Sequence, residues 1–184
     1  MFSSPRYSLP ARLMHWVTAL CVLVLFPLGV WASWRAEADI WDDLTNTIFA
    51  WHKTIGFAVL ILMVLRVVIR LRSVVPAYPR SMATWEISAS KATHHLLYLL
   101  LFIVPLLGWA GATAFPALDI LAGMHLPAMP FIPTGEPLAN SLFDWHENIA
   151  IVLGVVLALH IAAAIRHLVV KRDRVVDRMW FGSN

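Results

Sequence analysis

Residues 142–170 read LFDWHENIAIVLGVVLALHIAAAIRHLVV. This stretch is long and apolar enough to cross about 30 Å of hydrocarbon, which takes roughly 20 helical residues at 1.5 Å each. Working outward from it, three more runs have the same character: about Leu13 to Trp31, about Phe49 to Leu71, and about Ala92 to Ala114. The whole chain agrees, since its 184 residues are 60% hydrophobic and only 14% charged. A soluble domain carries about a quarter charged residues. The expected fold is all-α: one membrane domain, residues 1–184, built as a transmembrane four-helix bundle with spans near 13–31, 49–71, 92–114 and 142–170.

The connections are too small to be domains. A short acidic loop (Arg35 to Asn46) follows the first span, and a polar loop with Pro76 and Pro79 follows the second. The third connection, Phe115 to Ser141, carries Pro116, Pro127, Pro130, Pro133 and Pro137, too many for a helix. Trp31-Ala32-Ser33 would suit a signal-peptide cleavage site. The run before it is long for such a leader and starts with His15 and Trp16, so it is read as a span. Trp31, Trp34, Trp51, Trp109 and Trp145 lie near span ends, as interfacial aromatic belts do.

Charge sets the orientation. With a cytoplasmic N-terminus, the inside holds Arg6, Arg12, Arg66, Arg70, Arg72, Arg80, Lys91, Arg166, Lys171, Arg172, Arg174 and Arg178, which is 12 of the 14 basic residues. Eight of the 11 acids fall outside with only Arg35 and Lys53, a net −6. Cytoplasmic loops carry the Lys and Arg excess, so both termini are expected in the cytoplasm. A pI near 9.4 could suggest nucleic acid, but the basic residues sit at the ends of apolar runs. The expected partner is membrane lipid, with no nucleic acid.

Seven of the eight histidines fall in or beside spans: His15, His52, His94, His95, His146, His160 and His167, with His125 in a loop. Ionisable groups in membrane helices are costly and face the bundle interior. A lone one is more often a hydrogen-bonded packing residue, but seven in four spans are hard to explain that way. His146 and His160 are 14 residues apart, so at 100° per residue they share a face to within about 40° and stand about 21 Å apart. That suits two metal centres stacked across the bilayer. His52 starts the second span level with His146, and His15 starts the first in the half containing His160. The candidate pairs are His52 with His146 and His15 with His160. Imidazole suits iron, copper and zinc alike. No carboxylate or thiolate joins these histidines at depth, and two imidazoles with apolar walls describe bis-histidine haem. The single cysteine, Cys21, excludes a disulfide framework, an iron–sulfur or multi-cysteine zinc site, and C-x-x-C-H haem attachment. Any haem is b-type.

Other residues fit around such sites. Arg66 lies 14 residues beyond His52. An arginine that deep either pairs with an anion such as a haem propionate, with Arg70 as a second donor, or snorkels to the interface. His94 and His95 point about 100° apart, so only one faces the bundle centre. His94 stands at the depth of His15 and competes with it as a ligand. His167, seven residues past His160, is placed for a quinone carbonyl or a propionate, or is an ordinary interfacial histidine.

Arg12-Leu13-Met14-His15-Trp16, Trp51-His52-Lys53-Thr54-Ile55-Gly56 and Val64-Leu65-Arg66-Val67-Val68-Ile69-Arg70 occur in this order. His94 with Tyr98, Pro105-Leu106-Leu107-Gly108, Trp145-His146-Glu147, Leu159-His160 and His167 follow. Together they resemble the bacterial cytochrome b561 family, di-haem proteins of the inner membrane similar to hydrogenase cytochrome b subunits. No piece is specific alone; the ordered set is, and it extends over the chain. The resemblance implies that His15 and His160 ligate the inner haem, and His52 and His146 the outer one. It also implies superoxide oxidation at the periplasmic face with ubiquinone as acceptor. Lys91, one turn before His94, departs from the pattern of a similar protein with histidine there, which affects the expected quinone contacts.

Six-coordinate haem offers no open position, so electrons must pass at the porphyrin edge, which suits one-electron donors and a quinone acceptor. Against superoxide stands the acidic outer face, where Lys53, His125 and Arg35 are the only cationic candidates. The rival expectation is an electron-transfer subunit serving a periplasmic redox protein or a hydrogenase- or dehydrogenase-type partner. A transporter or structural membrane protein would show no haem absorbance.

Overall fold

The computed structural model describes residues 6–79 and 81–181, so Arg80 of the basic set lies outside the described residues. Four helices make the fold: α1 (Leu9–Glu37), α2 (Asp43–Arg72), α3 (Thr84–Ala114) and α4 (Glu136–Ile165). A π-helical turn, Arg166–Lys171, continues α4. All four are long and apolar enough to cross a membrane. Each overruns its apolar stretch, and in α2 and α3 side-chain caps extend the helix into polar sequence. Pro10 sits in the first turn of α1, where a missing N–H costs nothing. Asp42 caps α2 by accepting from the Thr45 N–H at 2.9 Å. Glu86 reaches back to the Ala83 N–H at 2.9 Å at the start of α3.

The helices pack as two hairpins, α1 on α2 and α3 on α4, with α2 also touching α3. Across the seam, α1 and α4 meet through side chains, as where Phe26 lies over Gly154. The buried core, Val22, Val59, Met63, Leu97, Leu100, Leu101, Val104 and Leu153, forms an apolar layer half way along the bundle. Outward-facing Leu20, Val155 and Leu159 are each more than half exposed, a distribution that only lipid solvates well.

The two ends are closed differently. At the acidic end, Arg35 is buried and donates to Thr45 Oγ1 at 2.6 Å and Asp42 Oδ2 at 2.7 Å, locking the α1–α2 corner. The loop after α3 folds back on the bundle, with Trp109 donating to the Pro127 carbonyl at 2.8 Å and Lys53 to that of Ala117 at 2.7 Å. At the basic end the C-terminal residues form a strap. Arg12 and Trp16 donate to the carbonyls of Trp180 and Met179 at 2.7 and 2.8 Å. Arg178 donates to the Pro76 carbonyl between the rings of Tyr7 and Tyr78. Buried Glu86 accepts from Arg166 at 2.8 Å and Lys171 at 2.5 Å, joining α3 to the end of α4.

Candidate functional site

The histidines gather in the seam at two levels. At the acidic end, His52 of α2 and His146 of α4 face each other with ring centroids 6.0 Å apart. At the basic end, His15 of α1 and His160 of α4 are 6.4 Å apart. All four rings are half-buried. An imidazole nitrogen sits roughly 2 Å from a first-row metal, with its ring centre about 1 Å further back, so two trans imidazoles hold their centroids about 6 Å apart. Both pairs have that spacing. Among the described residues, no three His, Cys, Asp or Glu side chains cluster to hold a bare metal ion. The two imidazoles of the acidic end suit a metal whose other positions are filled by a macrocycle.

Hydrogen bonding orients these rings. The Nδ1–H of His146 donates to the Val104 carbonyl at 2.8 Å, leaving Nε2 with a free lone pair turned to the seam. Nδ1 of His52 is buried and makes no hydrogen bond, and the Leu25 carbonyl lies close to the ring. Both rings lie against glycines. A Cβ on Gly108 would stand 3.0 Å from His146 Cε1 and Nδ1, and one on Gly29 3.0 Å from His52 Cε1. The acidic-end pair therefore fits a bis-imidazole haem in spacing, and at His146 in tautomer as well.

The basic-end pair fits in spacing, but its environment differs. Arg66 turns into the bundle instead of snorkelling, donating to His15 Nδ1 at 3.0 Å and lying over the Tyr98 ring. Guanidinium is a donor only, so this contact makes His15 Nδ1 an acceptor and puts the ring proton on Nε2. Iron ligation through Nε2 requires Arg66 to leave His15 for another partner, for which a propionate is suited. His94 is the member of the His94–His95 pair that faces the centre, with its centroid 5.2 Å from His160. Its Nδ1–H donates to the Ser90 carbonyl at 2.5 Å, so its Nε2 is free. Spacing favours His15 and tautomer favours His94.

The remaining candidates have definite partners. Arg70 lies over Tyr7, and Lys91 turns to Tyr78 in the α2–α3 connection. His167 is buried in the π-helical turn, its Nδ1 2.6 Å from Asp173 Oδ2. At the acidic end His125 pairs with Asp119 at 2.6 Å. Sequence reasoning overlooked Gly29, Asp173 and the Val104 carbonyl. Gly108 was noticed only as part of a recurring string, because what a missing Cβ admits depends on the neighbouring helix.

Comparison with known proteins supplies an independent line. A family model described as prokaryotic cytochrome b561 matches residues 6–182. "Cytochrome b561 homolog 2" of Escherichia coli (strain K12) is 28% identical over 176 residues, covering 95% of this chain and 90% of that protein. "Cytochrome b561 homolog 1" of the same organism is 25% identical over 178 residues, covering 95% and 96%. "Probable superoxide oxidase CybB" of Yersinia pestis is 25% identical over 174 residues, covering 95% of each chain.

Proposed function

The chain belongs to the prokaryotic cytochrome b561 family of membrane electron-transfer proteins, and we propose that it carries electrons across the inner membrane on two bis-histidine b haems. The donor is a one-electron reductant at the periplasmic face, superoxide being the case suggested by the Yersinia pestis relative's name, and the acceptor is ubiquinone. The observation that carries this reading is the occurrence of two imidazole pairs, 6.0 and 6.4 Å between centroids, at two levels of one seam. The proposed ligands are His52 with His146 and His15 with His160. Bound there, the haems supply one-electron redox centres.

The chain's own residues do the rest. Met63, Val59 and Leu153 exclude water between the two levels, keeping the interior a low-dielectric path. Arg66 and Arg70 are the cations for haem carboxylates at the basic end, which the charge pattern assigns to the cytoplasm. His167, held by Asp173, is the candidate contact for quinone, where it would exchange a proton as the quinone takes up two electrons and two protons.

A second reading, an electron-transfer partner of a basic periplasmic protein, gains from the acidic end. There Arg35 and His125 are each paired with an acid and Lys53 is committed to a carbonyl, leaving little positive charge to draw in superoxide. A stoichiometric partner after mild solubilisation would favour this reading over a free-standing oxidase.

The ligand assignment is tested by haem content. Wild-type protein should hold two haems per chain, and His146→Ala and His160→Ala should each hold one. His15→Ala should lose the basic-end haem while His94→Ala keeps it. The reverse result for the last two would hand that ligand position to His94. Retention of both haems by His146→Ala would end the assignment altogether.

A further inference from the structure

Gly29 and Gly108 stand on different helices, yet each meets a histidine ring in the same way. Each is four residues after a backbone carbonyl close to that ring: Leu25 before Gly29, beside His52, and Val104 before Gly108, bonded to His146 Nδ1. Four residues is one helical turn, so an ordinary side chain at the later position would overhang the earlier carbonyl. Resting on the bis-histidine reading, we propose that Gly29 and Gly108 are positioning residues for the acidic-end haem. Each opens a notch in its helix through which an imidazole reaches the carbonyl one turn earlier.

Other glycines show that this is not simply close helix packing. Gly111 and Gly154 also lie against rings, but these are the benzene rings of Phe143 and Phe26. Gly56 meets nothing within 4 Å. Among the described glycines, only at Gly29 and Gly108 does the missing Cβ lie over a metal-ligating type of side chain, in both cases within the same pair. The construction is closed at His146, where the bond to Val104 is 2.8 Å. At His52 the ring lies in its notch with Nδ1 buried and unbonded. Both notches admit a ring, and at His146 the carbonyl also holds the proton on Nδ1 so that Nε2 is left for a metal. A carbonyl acceptor on Nδ1 also raises the basicity of the ligating nitrogen. His15 has no such arrangement, because its Nδ1 meets a guanidinium donor.

The test compares wild type with Gly56→Ala, Gly108→Ala, Gly108→Val and Gly29→Val, purified in detergent. The readouts are haem per chain, the low-spin ferric resonance of each haem and the two midpoint potentials. Gly56→Ala should match wild type. A Cβ 3.0 Å from Cε1 and Nδ1 must push the ring by a few tenths of an ångström, so Gly108→Ala should shift the resonance and potential of one haem only, the one lost in His146→Ala. The valine variants should weaken binding of that haem about 10–100-fold, so that it is lost on purification while the other stays as an internal measure of folding. Unchanged resonances and full haem content in the valine variants would overturn the proposal. So would equal loss of both haems, because the notches act on one site. If His146→Ala itself keeps both haems, the bis-histidine reading fails and the notch proposal goes with it.

Discussion

Asp42 concentrates the chemistry of the acidic end in one carboxylate. It caps α2 through the Thr45 N–H and binds the Arg35 guanidinium, contacts that hold its carboxyl down to about 2 from an ordinary value of 3.8. A carboxyl depressed in the folded state stabilises that state fully above its unfolded pKa and loses the effect as pH falls through the folded one. The Asp42 contribution should therefore be constant above about pH 5 and fade between 3.8 and about 2. Melting temperatures of wild type and Asp42→Asn, followed by helical circular dichroism, should differ by a fixed amount near neutrality and converge on acidification. A gap that widens at low pH would mean that some other group controls this corner. At this scale the sequence was legible for residue type and depth, because seven histidines in apolar runs can hardly be accidental. It was silent about tautomer and partner: nothing in the order of residues indicates that Arg66 would turn to His15 or that Asp173 would meet His167.

Between elements, the two hairpins are tight and the seam between them depends on a few close approaches. Gly154 is one of these. A Cβ there would stand 2.8 Å from the Phe26 ring of α1, and relief requires the ring or the helix to move. Overpacking of this kind costs about 1–3 kcal/mol, so Gly154→Ala should lower the unfolding temperature, whereas Gly56→Ala, in open space, should not. Equal melting of the two variants would show that the α1–α4 seam yields freely. The spans themselves were readable from hydropathy alone, and the predicted runs all lie within observed helices or, for the last, run into the π-helical turn. Their ends were not readable, since caps at Asp42 and Glu86 carry α2 and α3 well into polar sequence. The π-helical turn at Arg166–Lys171 had no sequence signal either. Its position follows from side chains that must be satisfied at once, Arg166 and Lys171 by Glu86 and His167 by Asp173.

For the molecule as a whole, two identical haems at the proposed sites would pass electrons in one direction only through differences in the protein around each pair. At the basic end Arg66 and Arg70, one turn apart on α2, are the cations proposed to face the haem carboxylates once Arg66 leaves His15. At the acidic end His146 donates to a backbone carbonyl, and Arg35 and His125 are paired with acids. Reduction adds a negative charge, which nearby cations favour, and in an apolar interior that field is little screened. A carbonyl acceptor on Nδ1 makes the imidazole a stronger donor and favours the oxidised metal. On the proposed two-haem reading, both effects would set the acidic-end haem at the lower potential and the basic-end haem at the higher, a gradient running from the proposed donor face to the proposed quinone face. Spectroelectrochemical titration should resolve two midpoints, with the lower one missing in His146→Ala. Arg66→Gln, which keeps a hydrogen-bonding side chain but removes the charge, should lower the higher midpoint and leave the other nearly unmoved. If both midpoints fell together, Arg66 would be acting through the fold, not through its field. If the His146 haem proved to be the higher one, the potentials would favour flow in the opposite direction, and charge could not be what orders them.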